Sequence, residues 1–313
     1  MTTNYDETLA NLFVKNKKCI INTDLDGLLS GMLLQEFLNW EIVGFSSCCG
    51  KPDDNIWLKN DSIDINDCVF VDLPVSVNNI QVIDQHFVAF NNESISKYNS
   101  FKNKINPNVV RNRIYLNNDY TKKYPFGTVH FVLAVLEQLN IIPQNINFDF
   151  YKKLGNFDCA DLILRADRVI GNTFTYTPNC IDWSNWIISF GKKRTEQLFN
   201  IVKNEYVNKH KSESFVENKL KSLGCQGLDG ECSNLFRNND LNKLKSYFDF
   251  LSLATNMKPI PIFDLFAYNK FIGERIEIKE NNHNEINSVL QSPNTFSYAF
   301  VSKRILSITR IKG

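Results

Sequence analysis

Residues 22–30 read NTDLDGLLS, and two further acids close apolar runs: Asp72 in VFVDLP and Asp84 in VIDQH, with His86 two positions after the second. Carboxylates brought to one point repel each other, and in their ionised form they call for a cation. The hard ions that prefer oxygen are Mg²⁺ and Mn²⁺. Asp24 and Asp26 lie two apart and would face the same way from an extended segment. Asp72 is placed to bridge two ions ~3.5–4 Å apart, a spacing that suits the stabilisation of phosphoryl oxygens. Four acids and an imidazole at strand ends therefore read as a centre for one or two divalent ions, with Asp24, Asp26 and Asp72 as ligands and with Asp84 and His86 in catalytic roles. Each acid also has a plainer role open to it. Asp24 suits the cap of a following helix, Asp72 the turn before Pro74, and Asp84 a solvated strand end.

For these acids to meet, the elements behind them must form one sheet. The first half of the chain alternates strand-like runs (KKCIIN, EIVGFSS, DCVFVDLP, IQVIDQH) with helix-like ones such as SGMLLQEFLNW. That pattern belongs to an α/β fold with a mainly parallel sheet flanked by helices, whose chemistry gathers at the carboxyl ends of the strands. PFGTVHFVLAVLEQLN reads as a buried helix with Thr128 near its start, and FDFYKKLGNFDCADLILRADRVIG as another, interrupted near Gly155. A long amphipathic stretch from Asp182 and a helix over LNKLKSYFDFLSLATNM follow. The last part turns β-branched and aromatic in short alternating runs. The expected organisation is an α/β domain over 1–185, a helical connector over 186–254 and a small β-rich C-terminal domain over 255–313.

In order and content, NTDLDG, VFVDLP and VIDQH resemble motifs I, II and III of the DHH phosphoesterase superfamily, over residues 18 to about 185. The resemblance implies a DHH-like domain with a dinuclear Mn²⁺ site that hydrolyses phosphodiester or phosphoanhydride bonds. Asp24, Asp26 and Asp72 match its acid ligands. It also implies departures. Asn22 and its neighbours Ile20 and Thr23 stand where the family has a histidine before the first acid, and Gln85 replaces the middle residue of Asp-His-His, leaving two weaker amide donors at Asn22 and Gln85. The family's fourth acid falls among Asp158, Asp161 and Asp167, with Asp167 preferred. The GGGH loop of family exonucleases is missing from the C-terminal part.

The substrate expected from this reading is a phosphorylated small molecule or a short single-stranded nucleic acid, such as a short oligonucleotide or a cyclic nucleotide. Thr128 and the amides at the start of its helix offer an anion site, His130 stands one turn in, and Arg111 and Arg113 are further phosphate contacts. Lys192, Lys193 and Arg194 form a second basic group. Two alternatives remain. One is a catalytically degenerate DHH-like protein that binds nucleotides or serves assembly. The other is a haloacid-dehalogenase-type phosphatase in which Asp24 attacks phosphorus, although Leu28 after Gly27 and the VIDQH motif do not suit it.

Composition narrows the classes. The chain has 313 residues, 43% hydrophobic and 22% charged, with a net charge of +1. Near neutrality argues against a surface that coats polyanions, so any phosphate must be met locally. No membrane association is expected, and an acidic, polar start with eight cysteines in no regular framework points to a cytoplasmic protein. Cys225 and Cys232 are too widely spaced for a zinc knuckle and read as loop thiols.

Overall fold

The computed structural model describes residues 5–47, 55–87, 103–111, 122–143, 148–166, 178–227, 229–268, 270–277, 292–302 and 304–312. Arg113 and Asp167 lie outside them. In chain order the elements are α1 (Tyr5–Leu12), β1 (Lys18–Asn22), α2 (Leu25–Leu38), β2 (Glu41–Ser46), β3 (Ile56–Leu58), β4 (Cys68–Val71), β5 (Gln81–Ile83) and β6 (Lys104–Ile105). Next come the helices α3 (Pro107–Val110), α4 (Thr128–Gln138), α5 (Cys159–Arg165), α6 (Pro178–Phe190), α7 (Lys193–Ser222), α8 (Ser233–Arg237) and α9 (Leu241–Thr255). Strands β7 (Phe266–Tyr268), β8 (Phe271–Glu277), β9 (Thr295–Ser302) and β10 (Ile305–Ile311) complete the described chain. Among the described residues no helix is long and apolar enough to cross a membrane.

The fold is α/β, with a seven-stranded sheet in the order β6-β5-β4-β1-β2-β3-β7 and a separate three-stranded antiparallel sheet, β8-β10-β9. The chain divides into two compact units: residues 1–22, 43–124 and 264–313 form the first, and 23–42 and 125–263 the second. The consecutive segments drawn from the sequence cut across these units, since 1–185 contributes to both and β7 pairs with β3 in the large sheet.

In the first unit, β1, β4, β5 and β6 run parallel. Cys19 to Ile21 and Cys68 to Val71 are buried without alternation, as expected for strands with no exposed face. Ile20, Val43, Ile56, Phe70, Val82, Phe271 and Phe296 form the core beneath them. Register then decides what stands at the carboxyl ends. Ile21 pairs with Val71, Val71 with Ile83 and Ile83 with Ile105. The next residue on each strand gives a polar row across the sheet: Asn22, Asp72, Asp84, Asn106.

The second unit is helical. Asp24 caps α2 by accepting the Gly27 N–H at 2.9 Å, and Asn39, in the left-handed region at φ 55°, ends it. Nearly every residue between is buried. The segment expected to be helical from Phe148 is turns up to Asp158. Helix α5 starts only at Cys159, because Asp158 and Asp161 cap it reciprocally: the Asp161 N–H donates to Asp158 at 3.0 Å and the Asp158 N–H to Asp161 at 2.8 Å. The expected connector, 186–254, takes in the end of α6 and then α7, α8 and nearly all of α9, with a break at Gly191.

Candidate metal centre

Asp72 and Asp84 are neighbours because β4 and β5 are, and each is clamped from outside by an amide. Asn22 Nδ2 donates to Asp72 Oδ2 at 3.0 Å, and Asn106 Nδ2 donates to Asp84 Oδ2 at 3.5 Å. The N–H groups of His86 and Phe87 also donate to Asp84 Oδ2, at 2.8 and 3.1 Å. This local turn folds the chain back so that His86 Nδ1 lies 2.7 Å from Asp84 Oδ1 and 3.7 Å from Asp72 Oδ1. One oxygen of each aspartate is thus held by N–H donors while the other faces the imidazole.

Donor atoms of Asp72, Asp84 and His86 all lie within 4.8 Å of one another, and both carboxylates are buried while the His86 side chain keeps 28% of its surface exposed. Asp72 adopts the left-handed region at φ 60°. A residue other than glycine in that region costs roughly 1–2 kcal/mol, a cost Asp bears better than most. The Asp72 N–H donates to the Ile83 carbonyl at 2.8 Å, which extends the β4–β5 pairing by one bond.

Three residues that the sequence reading missed hold this cluster. Asn106 caps α3, with Pro107 at the first helical position. Asn108 donates from Nδ2 to the carbonyls of Gln85 and Phe87, at 3.1 and 3.0 Å, and accepts the Tyr124 N–H at 2.7 Å. The string N-P-N, a cap followed by a helix-starting proline, carried the signal for both. Lys104 is buried with its Nζ on the carbonyls of Val75, Val77 and Ile80, so it ties down the loop between Asp72 and β5. Burial pushes its pKa down to about 7, against the pull of Asp84. Gln85, expected as a ligand through its amide, is buried, and its backbone carbonyl is the part Asn108 holds. Asn22, expected as a ligand, donates its amide hydrogens to Asp72.

The first-motif acids belong to the second unit and are differently occupied. The extended geometry that would have aligned Asp24 with Asp26 does not arise, because α2 begins at Leu25. Asp26 reaches instead to the start of α4: Oδ2 accepts the Thr128 N–H at 2.6 Å and Oδ1 the Val129 N–H at 2.8 Å. Gly127 makes room for it, since a Cβ there would meet the carboxylate at 2.6 Å. The anion at this helix N-terminus is therefore the chain's own. Thr128 is fully buried. His130 is also fully buried; its Nδ1 accepts the Gly127 N–H at 3.0 Å, and its ring packs against the touching pair Phe126 and Phe199. Burial lowers its pKa to about 4.

The loop that carries Asp229, Glu231 and Cys232 lies beside Asp24, a placement the sequence did not show. The Leu25 N–H donates to the Asp229 carbonyl at 3.0 Å, and Thr23 Oγ1 to Glu231 at 2.7 Å. The Cys232 N–H and Sγ both meet the Thr23 carbonyl, at 2.9 Å each. Burial, then the charges of Asp229, Asp26 and Glu231, raise the Asp24 carboxyl well above the usual carboxylate range. Cys225 and Cys232 are both buried free thiols.

Two of the basic residues offered to phosphate, Lys192 and Arg194, have their side chains engaged elsewhere. Glu137 accepts the N–H groups of Lys192, Arg194 and Thr195 at the start of α7, at 3.1, 2.9 and 2.8 Å, and the Arg194 guanidinium at 3.3 Å. Lys192 Nζ donates to Asn140, Lys193 is exposed, and Arg111 ends α3 with its N–H on the Pro107 carbonyl at 3.0 Å. Comparison with protein-family models, with curated proteins and with solved structures finds no match to this chain.

Proposed function

We propose that this chain is a divalent-metal-dependent phosphoesterase that hydrolyses phosphodiester bonds of short oligonucleotides or cyclic nucleotides, as a divergent relative of the DHH phosphoesterases. The observation that carries the reading is the convergence of Asp72, Asp84 and His86, with each carboxylate fixed through one oxygen and turned toward the imidazole through the other. The donor set fits the implied ion. Two carboxylates with one imidazole suit Mn²⁺ better than Mg²⁺, which favours all-oxygen surroundings. A bound Mn²⁺ supplies charge for phosphoryl oxygens and lowers the pKa of water.

The chain's own residues do the rest. Asn22 and Asn106 hold the two aspartates in fixed orientation, as outer partners of metal ligands do. His86, the exposed member, borders solvent, and the N–H of its ring nitrogen away from the aspartates is left to donate a hydrogen bond that steadies the phosphate. Asp24 uses one oxygen to cap α2 through the Gly27 N–H, a structural role that does not call on it as a nucleophile.

One observation favours a second reading, a DHH-like protein that binds nucleotides without cleaving them: both Asp26 oxygens are taken up by amides of α4. Mn²⁺ titration by calorimetry together with hydrolysis of a generic phosphodiester and a cyclic dinucleotide separates the two. The enzyme reading expects Mn²⁺ uptake at micromolar concentration and cleavage that Asp72→Asn abolishes. Uptake without cleavage supports the binding reading, and cleavage undiminished in Asp72→Asn removes Asp72 from the chemistry.

A further inference from the structure

The two loops that carry the cluster's donors are gripped by a single residue far along the chain. Strand β9 lies antiparallel to the segment just after Asp72: Val75 pairs with Ser297, the Ser76 N–H donates to the Phe296 carbonyl at 2.8 Å, and the Tyr298 N–H donates to the Pro74 carbonyl at 3.2 Å. The ring of Tyr298 meets Phe87 edge to face, with centroids 6.0 Å apart and planes at 62°, and with Val109 and Tyr5 these rings form a small apolar cluster. Phe87 is no bystander. Its N–H is one of the donors on Asp84 Oδ2, at 3.1 Å, and its carbonyl is held by Asn108 at 3.0 Å.

We propose that Tyr298, through its amide on Pro74 and its ring on Phe87, holds the Asp84–His86 turn in place against the exit from Asp72 and so acts as a positioning residue of the metal centre. This rests on reading the cluster as a metal centre. The backbone hydrogen bond fixes the exit from Asp72. The ring contact holds Phe87 where its amide satisfies Asp84 Oδ2, which leaves Oδ1 facing His86. Without the ring, Phe87 can pivot and its amide can leave Asp84, so that Oδ2 keeps only the His86 N–H and Asn106. Burial, and then the charge of Asp84, hold the Tyr298 phenol above its ordinary value, so the side chain adds no charge to the site.

The test uses the full chain with Tyr298→Leu, which removes the aromatic edge, and Tyr298→Phe, which keeps it. Circular dichroism first confirms that both fold. Hydrogen exchange without metal reads the turn directly: the amides of His86 and Phe87 are expected to exchange about tenfold faster in Y298L and within about twofold of wild type in Y298F. Calorimetry with Mn²⁺ is expected to show affinity about tenfold weaker in Y298L, the loss typical of outer partners of metal ligands, and unchanged in Y298F. Wild-type exchange and affinity in Y298L overturn the proposal, as does an equal loss in Y298F, which would shift the role from ring to hydroxyl. Should the wild type take up no Mn²⁺, the metal reading fails, while the exchange comparison still decides whether Tyr298 sets the turn.

Discussion

The two compact units treat their buried carboxylates in opposite ways. In the second, Asp26 places both oxygens on the free amides of α4, and Glu137 does the same for α7. These acids complete helix N-termini, where the backbone offers several N–H donors to negative charge. In the first unit, Asp72 and Asp84 each direct one oxygen to N–H donors and the other to a shared imidazole. An acid in a motif is thus not defined by its neighbours in sequence. What distinguishes a capping carboxylate from one suited to an ion is whether the fold aims N–H donors at both of its oxygens or at only one.

The largest effect that tests this contrast is on ion affinity. Asp84→Asn keeps an oxygen for the amides of His86 and Phe87 but removes the charge, and calorimetry is expected to show Mn²⁺ binding weakened more than about 100-fold with little loss of stability. Asp26→Ala should behave in reverse. It strips two charge-assisted bonds from buried amides, so urea unfolding should show about 3 kcal/mol of destabilisation. If Asp26→Asn, which retains one acceptor, were to abolish Mn²⁺ binding as fully as Asp84→Asn, the contrast between the units would be broken.

His130 gives an effect of similar size that depends on pH. Its pKa is lowered from 6.5 to about 4 by burial, so below pH 6.5 the unfolded chain takes up a proton that the folded chain refuses. Its contribution to stability is intact above pH 6.5 and falls as pH drops toward 4, by about 3 kcal/mol over the window. Urea midpoints across that range should decline less steeply in His130→Gln than in wild type. An unchanged slope would mean that His130 titrates normally.

Smaller effects sharpen the picture within each unit. Asn22→Ala removes one donor from Asp72 and is expected to weaken Mn²⁺ binding about tenfold. Gly127→Ala pushes a methyl against the Asp26 carboxylate and should lower stability by roughly 1–2 kcal/mol with Mn²⁺ affinity unaltered. Loss of Mn²⁺ affinity in Gly127→Ala would tie Asp26 to the ion after all.

Much of the sheet was legible because its strands are short apolar runs, each with a polar end. Strands β1, β2, β4 and β5 stand where KKCIIN, EIVGFSS, DCVFVDLP and IQVIDQH place them, and parallel register then carries Asp72 beside Asp84. The helix read over residues 30–40 is α2, but its start five residues earlier at Leu25 was not read, and that detail changes where Asp26 points. What could not be read depends on partners remote in sequence. The amides that take up Asp26 belong to Thr128 and Val129, the loop around Asp24 carries Asp229 and Glu231, and Tyr298 reaches Phe87 from β9. No periodicity reports such pairings. Asn106 and Asn108 fall between the cases, since N-P-N signals a helix start but not what its second asparagine clamps.

The donors of the first unit all come from one short stretch, Asp72 to His86, closed by the pairing of β4 with β5 and staked down by Lys104. Sequence separation this small keeps the loop-closure cost of the pairing low. An ion captured there would act as a folding clamp, favouring the β4–β5 pairing over open states in proportion to its affinity. Chelation would then show itself first as a lower melting temperature, ahead of any assay of turnover.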